Sequence, residues 1–150
     1  VDDIKEQVKE KVEEEIDKAK EKAIREAEKQ AAKIYAEAEK QAANIISAAE
    51  KSAKTIKDNA KKAADKIRNE AYAQADNLIK QAGNNPIKKK IAKESAKKIK
   101  QEADDKANKM EREAAKQADN AVNKAKKEAE EVKRKAKAKG DQLIENAKNS

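Results

Sequence analysis

Along this chain one large apolar residue recurs every eleven positions, on both sides of a single interruption. Before the interruption the series is Ile34, Ile45, Ile56, Ile67 and Leu78; after it, Ile99, Met110, Val132 and Leu143, with Ala121 as the one small member. The positions four and eight residues further on are almost all alanine. In the first run they are Ala38, Ala49, Ala60, Ala71 and Ala82, with Ala42, Ala53, Ala64 and Ala75. In the second they are Ala103, Ala114, Ala125, Ala136 and Ala147, with Ala107, Ala118 and Ala129. Steps of four, four and three hold these residues on one face of a helix. Eleven residues in three turns is about 3.67 per turn, so helices paired through this hendecad stripe are expected to be nearly straight or slightly right-handed.

A stripe is all the apolar content can supply. Of 150 residues 45% are charged and 1% aromatic, and Phe, Trp and Cys are absent. Such a chain covers a seam but does not fill a globular interior. The sustained phase of the repeat distinguishes it from a disordered polyelectrolyte of similar composition. Without cysteine there is no disulfide or thiolate; without histidine the usual general base and commonest metal ligand are missing. No apolar run approaches the roughly twenty residues that span a bilayer. The sequence opens on Val1 rather than Met. The expectation is a soluble protein, either cytoplasmic or secreted or periplasmic after removal of a signal segment.

The interruption is Gly83-Asn84-Asn85-Pro86. Glycine suits the left-handed position just past a helix end, asparagine caps the next helix, and proline fits its first turn. A loop this short turns the second helix back along the first. The expected fold is therefore all-α, a long antiparallel two-helix coiled-coil hairpin of one elongated domain over 1–150. It divides into an overhang at 1–22, arm one at 23–82, the turn at 83–86 and arm two at 87–147. Folding about Asn85 sets residue i against 170 − i, with Ile67 on Ala103 and Ile99 on Ala71, large against small throughout. A slip of four residues that sets Ile67 on Ala107 and Ile99 on Ala75 matches large to small equally well; the turn residues favour the first register. Gly140 falls on the stripe and is expected to weaken the last turns by about 1 kcal/mol relative to alanine.

Residues 1–22 have no counterpart in arm two. Their stripe, Ile4, Val8, Val12 and Ile16, steps by four. Residues 1–17 carry eight acidic and three basic side chains, net −5, so the other 133 residues carry +13 of the total +8. An uncovered branched-aliphatic stripe calls for a partner, and an acidic end beside a basic body favours contact between chains. Tyr35 and Ile46 lie beside the main stripe, as do Tyr72 and Ile79. They either flank the intrachain seam with their hydroxyls in water or form a second seam between hairpins. The candidate oligomer interface is thus Ile4, Val8, Val12, Ile16, Tyr35 and Ile46.

Acidic clusters such as Glu13-Glu14-Glu15 read as a solvated face with i, i+4 ion pairs, because carboxylate catalysis needs a pocket that two helices do not provide. No catalytic, cofactor-binding or metal-binding residue is expected, and no small-molecule substrate. Lys88, Lys89, Lys90, Lys93 and Lys97 follow the turn, opposed locally only by Glu94, and are the candidate anion-binding residues. Lysine outweighs arginine and no aromatic is interleaved for base stacking.

The run from Ala31 to Ala82, rich in Ala, Lys, Glu and Gln, resembles the alanine-rich hendecad coiled coils of rotary-ATPase peripheral stalks. The repeat is also similar to that of late-embryogenesis-abundant stress proteins, and a basic helical hairpin is similar to the tentacles of periplasmic holdase chaperones. These resemblances imply scaffold or protective roles and carry over no functional residue. The leading expectation is a non-enzymatic structural coiled coil, a spacer, scaffold or adaptor, as a homo-oligomer or with a helical protein partner. The alternatives are a binder of anionic surfaces (membrane, envelope polymer or nucleic acid) and a chaperone or stress protectant.

Overall fold

The computed structural model describes residues 2–150. Two helices account for nearly all of them: α1, Asp2–Gln81, and α2, Pro86–Asn149. They pack against each other as an all-α helical hairpin. The turn forms as its residues dictate. Gly83 takes a φ of +63°, the left-handed value that glycine adopts at no steric cost. The last amides of α1 close back, with Ala82 N donating to Leu78 O at 3.2 Å and Gly83 N to Lys80 O at 3.2 Å. Asn85 caps α2: its Oδ1 accepts from Ile87 N at 3.0 Å and Lys88 N at 3.2 Å. Pro86, assigned above to the turn, is the first helical residue, where its missing N–H costs no bond. Asp2 and Asp3 at the start of α1, and Lys80 and Lys148 in the last turns of α1 and α2, match the helix dipoles.

Contacts gather in two units. One comprises α1 as far as Ile46 with Ala125–Ser150; the other is Ser47–Lys124, containing the turn. Each has the same cross-section. The large stripe residues, Ile34, Ile45, Val132 and Leu143 in the first and Ile56, Ile67, Leu78, Ile99 and Met110 in the second, are half-buried. Every fully enclosed apolar side chain is an alanine, and among the described residues no polar or charged side chain is buried.

The alanines decide the register. Those that face large residues when i meets 174 − i are the most enclosed: Ala31, Ala64, Ala75, Ala107, Ala118 and Ala129 have no exposed surface, Ala42 has 1% and Ala96 2%. Ala53 is the exception at 6%. In this register it faces Ala121, the small member of the series. The alanines that the 170 − i register would set against large residues are less covered: Ala103 keeps 8%, and Ala60, Ala71 and Ala136 are only half-buried. Cross-helix hydrogen bonds agree. Tyr35 reaches Asp141, Arg68 reaches Asn108 and Tyr72 reaches Asp104, each pairing i with 176 − i, while the long Arg68 side chain also spans to Asp104 and Glu111 on either side of Asn108. Helical side chains lean toward their own N-terminus. In an antiparallel pair that lean makes the numbers of touching tips add to slightly more than those of the facing backbones. The register expected from the turn, Ile67 on Ala103, is thus displaced by one helical turn to Ile67 on Ala107 and Ile99 on Ala75.

Gly140 has a use beyond its cost to the helix. α2 runs unbroken through it to Asn149, and Gly140 is buried at the position the repeat otherwise gives to Ala107, Ala118 and Ala129. A β-carbon there would lie 2.5 Å from Tyr35 Cε1 and 2.7 Å from Cζ. The glycine makes room for a tyrosine ring.

Candidate interaction surface

Two kinds of polar and apolar group lie outside the seam: those that clasp α1 to α2, and those that nothing covers. The clasps flank the stripe on the side of the residue after each large one. In the first unit the Tyr35 hydroxyl donates to Asp141 Oδ1 at 2.5 Å, and Lys137 Nζ donates to Asp141 Oδ2 at 3.3 Å. In the second, the Tyr72 hydroxyl donates to the Asp104 carboxylate at 2.9 Å, and Lys100 Nζ sits 5.3 Å from the Tyr72 ring centre. Arg68 bridges three turns of α2: it donates to Glu111 Oε1 at 2.6 Å and Asn108 Oδ1 at 2.7 Å, and lies 3.9 Å from Asp104. Its side chain is 25% exposed, the best covered of the ion-paired groups.

These contacts set the titration of their members. Hydrogen bonding to Asp141, reinforced by desolvation, raises the Tyr35 pKa above its ordinary 10.0. The same bond, with that of Lys137, holds Asp141 below 3.8. Tyr72 is likewise raised by its bond to Asp104. Of the two placements open to the tyrosines, both rings flank the intrachain seam, and their hydroxyls donate to aspartates of the other helix at the exposed surface. Tyr35, a candidate for contact between chains, spends its hydroxyl within its own chain; Ile46 beside it is half-buried.

The overhang candidates are placed differently. Ile4 is 66% exposed, Val8 57%, Val12 49% and Ile16 60%, each lying along α1 with no helix opposite. Residues 2–23 are all exposed; the first half-buried position is Ile24 and the first buried one Ala27. Sequence reasoning missed a second uncovered pair, Ile87 and Ile91, exposed to 74% and 60%. At ~100° per residue they sit roughly 80–120° round α2 from Ile99, off the seam that Ala92, Ala96 and Ile99 enter. That offset was countable in the sequence once the seam positions were assigned.

Lys88, Lys89, Lys90, Lys93 and Lys97 are exposed in the first four turns of α2, and none pairs with a carboxylate among the described residues. Three of them stand close to the positive end of that helix dipole, where cations are disfavoured. The clefts along the helix pair are shallow and open. One is lined by Tyr35, Glu39, Lys133, Lys137 and Asp141, another by Tyr72, Ile79, Lys97, Lys100 and Asp104. Both expose the clasps already described. Among the described residues no cluster of His, Cys, Asp or Glu is arranged to hold a metal, and no helix is long and apolar enough to cross a membrane. The chain matches no protein-family model, no curated protein and no solved structure.

Proposed function

We propose that this protein is a structural coiled coil, a spacer or adaptor that works through helix–helix association, and that its contact surface is the start of α1. One observation carries the reading: the four branched aliphatics Ile4, Val8, Val12 and Ile16 follow one another at helical spacing and all stay about half or more exposed. The rest of the chain supports it. The seam residues from Ile24 onward are covered by α2, whereas the stripe before them is exposed. An isolated amphipathic helix of about twenty residues is marginal in water, so a covering helix supplies stability as well as specificity. Deleting residues 1–22 should leave the remaining hairpin helical by circular dichroism while lowering the molar mass found by light scattering. A truncated chain that keeps the full-length mass would place the association elsewhere, and a full-length chain that stays monomeric at high micromolar concentration would leave only a different protein as partner.

The unpaired lysines after the turn support a second reading, contact with an anionic surface. Binding to vesicles containing anionic lipid, or to DNA, that weakens steeply with salt and is lost on replacing Lys88, Lys89 and Lys90 by Gln would favour it.

A further inference from the structure

We propose that residues 2–22 pair with the same segment of a second copy, antiparallel, about a two-fold axis close to Lys11, so that residue i faces 22 − i. This rests on the reading that the exposed stripe is a self-association surface; it adds the identity of the partner, the direction and the register.

The stripe is symmetric. Ile4, Val8, Val12 and Ile16 run at equal steps with isoleucine outside and valine inside, and so present the same surface read from either end. Two-fold contact requires such self-complementarity. In the proposed register Val8 packs between Val12 and Ile16 of the second copy, and the reverse contact follows by symmetry.

The charges bordering the stripe choose the direction. At ~100° per residue, Asp2, Lys9, Glu13 and Lys20 line one border, with Lys5 nearer the stripe, while Lys11, Lys18 and Lys22 lie along the other, with Glu15 nearer the stripe. In an antiparallel two-fold pair each border meets its own kind. Asp2 then stands opposite Lys20, and Lys9 opposite Glu13, giving four ion pairs across the two copies against one like-charged contact, Lys11 on Lys11 at the axis, where each Lys11 has Glu15 one turn away on its own helix. A parallel pair would set the first border against the second, bringing Lys9 beside Lys11 and Lys20 beside Lys18 and Lys22, with Glu13 near Lys11 and Lys18 as the one attractive contact of the named border residues. Like charges so placed disfavour it. Among the described residues none of Asp2, Lys9, Glu13 and Lys20 is engaged in an intrachain ion pair, so all four are free to make these contacts. Asp3, Glu10 and Asp17, which supply much of the acidic excess, fall on the side away from the stripe, where two copies keep them apart.

The chain contains no cysteine, so introduced cysteines report on the pairing without interference. In the full chain, Ile4→Cys mixed with Ile16→Cys should give a disulfide-linked dimer under mild oxidation, while neither variant alone should cross-link. In the antiparallel pair two copies of the same variant keep their cysteines roughly 15–20 Å apart along the axis, beyond the ~7 Å Cα separation a disulfide tolerates. Efficient cross-linking of each variant with itself would overturn the antiparallel direction. Light-scattering dimers with no cross-link in any combination would overturn this interface while leaving self-association intact; monomers throughout would overturn both. The register has its own test. Lys9→Glu should weaken the dimer about tenfold, two exposed pairs being lost at up to ~1 kcal/mol each. Adding Glu13→Lys in the same chain should restore it, and a double variant no tighter than the single one would show that these residues do not meet.

Discussion

The ring of Tyr35 occupies the space that a side chain at residue 140 would need. A β-carbon on Gly140 would stand 2.5 Å from Tyr35 Cε1 and 2.7 Å from its Oη, and that oxygen is the donor to Asp141, the next residue of α2. Gly140→Ala therefore has two opposed effects. It improves helix propensity by about 1 kcal/mol, and it pushes the ring off its aspartate. In the parent chain the thermal midpoint should change little or fall. In a Tyr35→Ala background the same substitution should stabilise by about 1 kcal/mol. Equal effects in both backgrounds would show that ring and glycine are not coupled.

The same pair gives the protein a pH window. Tyr35 binds its proton more tightly folded than unfolded, so its contribution is complete below its ordinary 10.0 and is lost as pH rises through the higher folded value. Asp141 is the reverse: its contribution is complete above 3.8 and is lost as pH falls through the lower folded value. Stability should be level between these limits and decline outside them. Lysines also titrate at high pH, so the informative quantity is the difference in thermal midpoint between the parent and Tyr35→Phe. It should shrink at both edges; a constant difference from pH 3 to pH 11 would contradict the hydrogen-bonded assignment.

Large and small seam positions should respond differently to mutation. Ile56 is half-buried, so Ile56→Ala should cost about 1–2 kcal/mol, below the 2–5 kcal/mol typical of a core isoleucine. Ala64 and Ala107 have no exposed surface, and enlarging either to leucine forces the axes apart at a cost of about 1–3 kcal/mol. The same enlargement at the exposed Ala63 should be nearly neutral. Denaturant midpoints at constant slope would measure all three.

Arg68 donates to Asp65 on its own helix and to Asn108 and Glu111 on α2, with Asp104 3.9 Å away, and its pKa is raised chiefly by the bond to Glu111. Lysine keeps the charge but not the planar fork. Arg68→Lys should lower the thermal midpoint nearly as far as Arg68→Gln and reduce its sensitivity to added salt. A lysine variant as stable as the parent would show that charge alone, rather than forked geometry, matters there.

Much of the hairpin was legible because its signals are local. Gly83, Asn85 and Pro86 each have a conformational preference that acts within a few residues, and each was found in the conformation it prefers. The register was not, because the repeat is nearly self-similar on shifting by one turn. Ile67 meets an alanine whether it faces Ala103 or Ala107, and only the covering of Ala64, Ala75, Ala107 and Ala118 separates the two. The clasps depend on that choice. Tyr35 and Asp141 are 106 residues apart, and nothing in either residue's neighbourhood announces the other until the helices are set side by side. Gly140 is legible only in part for a related reason: its local cost to a helix follows from its type, whereas the ring it makes room for is on the other helix.

A seam enclosed by alanines has a thermal consequence. The chain leaves 11940 Å² accessible, against ~7,600 Å² for a compact protein of its mass. Heat-capacity change on unfolding follows the apolar area newly exposed, and here less is hidden than in a compact protein. It should fall below the ~12–15 cal/mol/K per residue of ordinary domains. The stability curve is then shallow, so cooling adds little stability and warming removes it slowly. With each turn touching only its neighbours and the facing helix, heat should loosen the molecule section by section, helicity declining over tens of degrees rather than collapsing at one.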